Sequence, residues 1–174
     1  MIGRLIRALR RQGGATSVEF ALVFPVLMAL VGSIFEAGIA TTRQVMLERA
    51  LDLALRDLRL GVMPAPSHDG LRRAICARTA VIRDCEAVML LELRPIDTDS
   101  WAGLATPIRC IDRSEEIAPV TQFRTGGAQA LMLVRACVIV DPVVPVSALA
   151  LALPRDGAGG YRLLAASVFV NEPV

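Results

Sequence analysis

The sequence predicts an α+β protein in which one long N-terminal helix, a membrane span that continues as an amphipathic helix, packs on a small antiparallel sheet. Three observations predict it. Between Val18 and Thr42 the only charges are Glu19 and Glu36, from Arg43 onward apolar residues recur at helical spacing, and after Leu60 three short apolar runs of strand length alternate with turn-rich segments. The chain of 174 residues is 54% hydrophobic but only 4% aromatic, with mean hydropathy +0.53, more than an ordinary water-facing surface accommodates. One membrane segment would leave a single domain of modest size.

Taken in order, the first stretch, MIGRLIRALRRQGG, carries Arg4, Arg7, Arg10 and Arg11 with no acid, then two glycines that interrupt a helix. It reads as a basic leader. Phe20 to Phe35 is free of charge, and about twenty residues at ~1.5 Å each cross a ~30 Å hydrocarbon core. Four arginines precede this span, against Arg43 and Arg49 soon after it, so the N-terminus stays cytoplasmic and the rest is exported. The segment SIFEAGIATTR is a poor signal-peptidase site, because a glutamate and a glycine interrupt its small residues.

From Arg43 to Leu60 the residues Leu47, Leu51, Ala54, Leu55 and Leu58 share one helical face, and Glu48, Arg49, Asp52, Arg56 and Arg59 the other. Gly61 and MPAPSHDG end the helix in a short hinge. Asp69 is the expected cap of a helix through LRRAICARTA, followed by a strand in VMLLELRP that ends before Pro95. Residues 96–129 read as loop. LMLVRACVIV and YRLLAASVFV are the second and third strands, joined through DPVVPVSALALALP, a proline-started loop with a short apolar helix. The expected division is leader 1–14, membrane helix 15–42, amphipathic extension 43–60, hinge 61–70 and periplasmic α+β domain 71–174.

The stretch Gly14-Ala15-Thr16-Ser17-Val18-Glu19-Phe20, set between a basic leader and a span, resembles the processing site of type IV prepilins. The string VEFALVFPVLMALVGSIFEAG that continues it is similar to the TadE family, the minor pseudopilins of tight-adherence (Tad, or Flp) pili, over residues Gly14 to Arg43. The ending VFVNEPV is similar to Asn-Glu-Pro endings in that family. The resemblance implies a cut after Gly14 by a membrane-embedded prepilin peptidase, with Ala15 as the new N-terminus. Gly13 is an alternative that would break the family's spacing to the glutamate. Glu19 would be the fifth mature residue, followed by Phe20. A carboxylate in hydrocarbon costs on the order of 2.5–3.5 kcal/mol on insertion scales, so it needs a partner or an interfacial position. The α-amine that cleavage exposes on a neighbouring subunit would supply the partner and favour axial addition to a helical bundle.

The implied partners are the inner membrane, the prepilin peptidase, other minor pseudopilins, the major pilin and the pilus assembly platform. A minor subunit fits better than a major one, because the family's major subunits are much shorter. Pro25 removes one helical hydrogen bond and crowds the Ala21 carbonyl, so a kink is expected there, with or without a role in leaving the bilayer. Ala29, Ser33, Ala37 and Thr41 form a small-residue stripe that a partner helix could approach, a spacing that alanine-rich spans also show by chance. Glu36, near the periplasmic end, either snorkels or pairs with an arginine such as Arg43.

Cys76, Cys85, Cys110 and Cys137 all follow the span, and an even number in an oxidising compartment argues for two disulfides. Of the three pairings, Cys76 with Cys85 and Cys110 with Cys137 closes the shorter loops, contributing roughly 2.5 and 3.5 kcal/mol in the chain-entropy model. Catalysis is not expected: there is one histidine, His68, no phosphate loop after a strand and no hydrolase elbow. No cofactor or metal is expected either, the loop acids Asp97 and Asp99 reading as solvated. All basic residues are arginines, scattered among acids for a net charge of +2, which builds no nucleic-acid surface. An unprocessed membrane-anchored scaffold and a periplasmic enzyme of unfamiliar type remain the alternative classes.

Overall fold

The computed structural model describes residues 15–63, 67–101, 104, 106–117 and 119–171. The leader, including Gly14, and positions 64–66 of the hinge lie outside the described residues. Helix α1 (Ala15–Arg59) is one unbroken element of 45 residues, about 67 Å long, and it continues through Pro25. Its end is set by Gly61, whose positive φ of 68° lets the Gly61 N–H reach the Leu58 carbonyl and the Val62 N–H reach that of Asp57.

Helix α2 (His68–Cys76) follows. The cap is Ser67 rather than Asp69: the Ser67 hydroxyl accepts from the Gly70 N–H at 3.0 Å, and Asp69 sits in the first turn facing Arg72 at 3.1 Å. The helix also stops at Cys76, short of the expected Ala80. A one-turn helix α3 (Cys85–Val88), not foreseen, leads into strand β1 (Met89–Pro95). Pro95 belongs to the strand and pairs with Met132, at the end of an edge strand where its missing N–H costs no ladder bond. Strand β2 (Leu131–Val140), the short helix α4 (Ala148–Ala152), capped by the Ser147 hydroxyl, and strand β3 (Tyr161–Val170) complete the chain.

The sheet is antiparallel in the order β1-β2-β3, with Leu91, Ala136 and Ala165 in one cross-strand row. Residues alternate between its faces. One face, with Met89, Leu91, Leu93, Val134, Ala136, Val138, Leu163, Ala165 and Phe169, shares a core with Leu47, Leu51 and Leu55 of α1 and with Leu71 and Ile75 of α2. The amphipathic stripe read from the sequence is therefore the helix's contribution to the core, with Leu58 only partly buried. The opposite face carries Glu92 bonded across the strands to Arg135, 2.8 Å from its Nε, and Arg135 also donates to the Thr106 carbonyl. Those bonds hold part of the 96–129 segment on the sheet. Gln122 and Arg124 in turn bond the backbone of Leu93 and cover the outer edge of β1.

Two disulfides join Cys76 to Cys85 and Cys110 to Cys137. The first ties the end of α2 to the start of α3. The second fastens the long loop to the middle of β2.

Candidate functional site

The residues that the sequence singles out do not meet in one place. Glu19, Phe20 and Pro25 lie on the exposed first part of α1, and the cysteines lie in the folded domain. From Thr16 to Val31 every side chain is exposed. Glu19 has no partner among the described residues. Phe20 lies against Phe24, one turn further, with ring centroids 5.1 Å apart. This half of the helix is apolar on all sides, as a helix in contact with lipid or with other helices must be. It is long and apolar enough to cross a membrane.

Gly32 lies where the folded domain meets the helix. A Cβ at that position would stand 3.3 Å from the Val144 side chain, so glycine here allows the loop after β2 to lie close against the helix. One residue on, the Ser33 hydroxyl donates to the Ala29 carbonyl and accepts from the Ala148 N–H at 3.1 Å, at the start of α4. The small-residue stripe is thus taken at Ser33 by the chain's own loop.

Glu36 neither snorkels nor pairs directly with an arginine. It is 0% exposed, and one carboxyl oxygen accepts from the N–H groups of Val143 and Val144 at 2.8 and 2.7 Å. The other accepts from the Tyr161 hydroxyl at 3.2 Å, and that hydroxyl accepts from Arg43 at 3.3 Å. Arg43 also donates to the Asp141 carbonyl at 2.8 Å. Burial pushes the Tyr161 phenol up from its ordinary value, and the nearby Arg43 guanidinium offsets this only in part. The result is a lock: three residues of α1 hold the end of β2, the loop after it and the start of β3. A carboxyl group can be buried at this depth because its oxygens are met by donors. The position was visible in the sequence as a glutamate in an apolar run. Its backbone partners, more than a hundred residues away, were not.

Behind the lock, Arg113 clamps the turn before β3. Its Nε is 2.7 Å from Asp156, a second nitrogen is 2.7 Å from Asp141, and its own N–H points at Asp156 as well. The Arg113 hydrogen bond is the main reason the Asp156 carboxyl is held below the usual carboxylate range. Gly160 permits the clamp, since a Cβ there would fall 2.3 Å from the guanidinium. Asp97 is used within its own turn: Ser100 Oγ donates to it at 2.5 Å, which chiefly lowers its pKa. His68 stands 3.1 Å from Asp69 and edge-on to Phe123. Among the described residues no three His, Cys, Asp or Glu side chains gather as metal ligands.

The class defined by this geometry is a helix-anchored α+β domain: a bare apolar helix that runs on without interruption into the core of a small antiparallel sheet. Residues 14–56 match the family described as TadE-like protein. The resemblance read from Gly14 to Arg43 is therefore borne out and extends to Arg56, across the lock and most of the buried stripe. It points to the Tad pilus as the setting. No curated protein and no solved structure shows significant similarity to the chain.

Proposed function

We propose that the chain is a minor pseudopilin of the Tad pilus, a structural subunit rather than an enzyme. In this reading prepilin peptidase cuts after Gly14 at the cytoplasmic face of the inner membrane. The domain from α2 onward stands in the periplasm, and the subunit joins other pseudopilins and the major pilin at the assembly platform, where it primes or tips the fibre used in adhesion. The observation that carries the proposal is the family match starting at Gly14, ahead of an apolar helix whose first acid, Glu19, is exposed and has no partner among the described residues. Once the leader is cut away, that acid is available to the α-amine of the next subunit, and in hydrocarbon the pair would be favoured over the isolated charge.

The decisive experiment is the mass of the mature N-terminus in the native host. Ala15 is expected as the first residue, and Gly14→Val should leave the leader attached and the pilus unassembled. Glu19→Gln should be processed normally yet abolish piliation. A mature chain that starts at Met1 while pili form would overturn the reading in favour of an unprocessed anchored scaffold.

A further inference from the structure

The connection between β2 and β3 contains a run, Pro142 to Pro154, without one charged residue, bounded by Asp141 and Arg155. Such a loop on a water-facing domain should turn its apolar side chains inward. This one does so only in part: Ala150 is buried and Leu153 packs against the core, but Val143, Val146 and Leu151 are 49%, 80% and 64% exposed. Their height on the molecule is fixed, because the loop is bonded to α1 at two points, Ala148 N–H to Ser33 and the Val143 and Val144 N–H groups to Glu36. Ser33 lies about 27 Å along the helix from Ala15, close to the far boundary of a hydrocarbon core ~30 Å thick. The loop therefore stands where the bare apolar helix leaves the bilayer, and its exposed valines and leucine continue that helix's surface sideways.

Charge returns immediately beyond the run. A cleft that includes Pro142 and Val143 is lined by Arg43, Arg83 and Arg113 with Asp84 and Asp141, so an apolar tip is backed by a charged rim at the height of lipid headgroups. Apolar side chains at the level of the acyl boundary with arginines above them are the arrangement of a surface that lies in a membrane interface.

We propose that Pro142–Pro154 is a membrane-seating loop: before assembly it lies in the periplasmic interface of the bilayer, with Val146 and Leu151 inserted among the upper acyl chains. Glu36 and Ser33 hold it at that depth. The inference rests on the single-span reading given above, and it adds a second point of lipid contact that sets the tilt and rotation of the domain over the membrane.

Single-tryptophan variants of the full chain in lipid nanodiscs test it. In a Trp101→Phe background, which removes the one native tryptophan, Val146→Trp is compared with Val26→Trp in the apolar helix and Val168→Trp near the far end of β3. Lipids brominated high or deep on the acyl chain serve as quenchers. Val146→Trp should be quenched roughly threefold more strongly than Val168→Trp, with shallow bromines most effective, while Val26→Trp responds to deep bromines. If Val26→Trp is quenched and Val146→Trp instead responds only to aqueous acrylamide, the seating loop is refuted and the span survives. Should Val146→Trp be shielded from both quenchers in proportion to protein density, a second copy covers the loop and the proposal is equally overturned. Failure of bromine to reach Val26→Trp would bring down the span and the loop together.

Discussion

The two halves of α1 belong to one continuous helix and have almost nothing else in common. From Thr16 to Val31 apolar residues surround the axis and all are exposed, whereas from Glu36 to Arg59 the apolar residues narrow to a stripe and Leu47, Leu51, Ala54 and Leu55 are buried in the core. The difference shows that exposure alone does not mark a residue as surface. The first half is built for an apolar surrounding and the second for the boundary between a protein core and water. The two halves meet over a single turn, Gly32 to Glu36, where Ser33 and Glu36 are bonded to the loop after β2.

The sharpest way to break that comparison is to truncate a leucine in each half. Leu47→Ala, within the core, should lower the stability of the domain in urea by about 4 kcal/mol, and Leu27→Ala by less than about 0.5 kcal/mol in the same micelles. Equal effects would mean that the bare half also packs on the domain. Reduction of the disulfides separates the halves next. Loss of Cys110–Cys137 should cost about 3.5 kcal/mol and loss of Cys76–Cys85 about 2.5 kcal/mol, seen as lower urea midpoints for Cys→Ser pairs, with helical signal retained from the apolar half.

At the boundary, Glu36→Ala removes the acceptor for two N–H groups and should cost about 2 kcal/mol, with faster hydrogen exchange at Val143 and Val144. Glu36→Gln keeps one acceptor and should recover most of the protection. Exchange that stays unchanged in the alanine variant would mean the lock does not hold the loop. The smallest effect concerns pH. Because the folded-state pKa of Asp156 lies below the ordinary 3.8, its contribution is complete above that value and is lost as pH falls below it. Asp156→Asn should remove about 1.5 kcal/mol at neutral pH and flatten the acid limb of domain stability. The apolar half, with no titratable side chain from Phe20 to Phe35, should keep its helical signal through the same titration.

Those elements whose causes are local were legible in the sequence. The charge-free run, the amphipathic stripe and the strands at 131–140 and 161–170 follow from spacing and composition, and each lies where the pattern puts it. The cap of α2 lies two residues before Asp69, because Ser67 and Asp69 are both good caps and only the backbone geometry chooses between them. Helix α3 has a single turn and a non-glycine residue, Asp84, at positive φ before it, which no periodicity announces. Glu36 was conspicuous, yet its role depends on where β2 ends and how the chain turns at Pro142. Gly160 is of the same kind: a glycine in GAGG looks like turn chemistry until Arg113 is found against it. Residues that act through contacts distant in sequence carry a local signal of presence but none of purpose.

The unbroken passage of α1 from Ala15 to Arg59 has a mechanical consequence. No loop interrupts the helix between its exposed apolar half and the half packed in the core. A displacement or a torque applied at the Ala15 end is carried along one helix to the sheet on which Leu47, Leu51 and Leu55 pack.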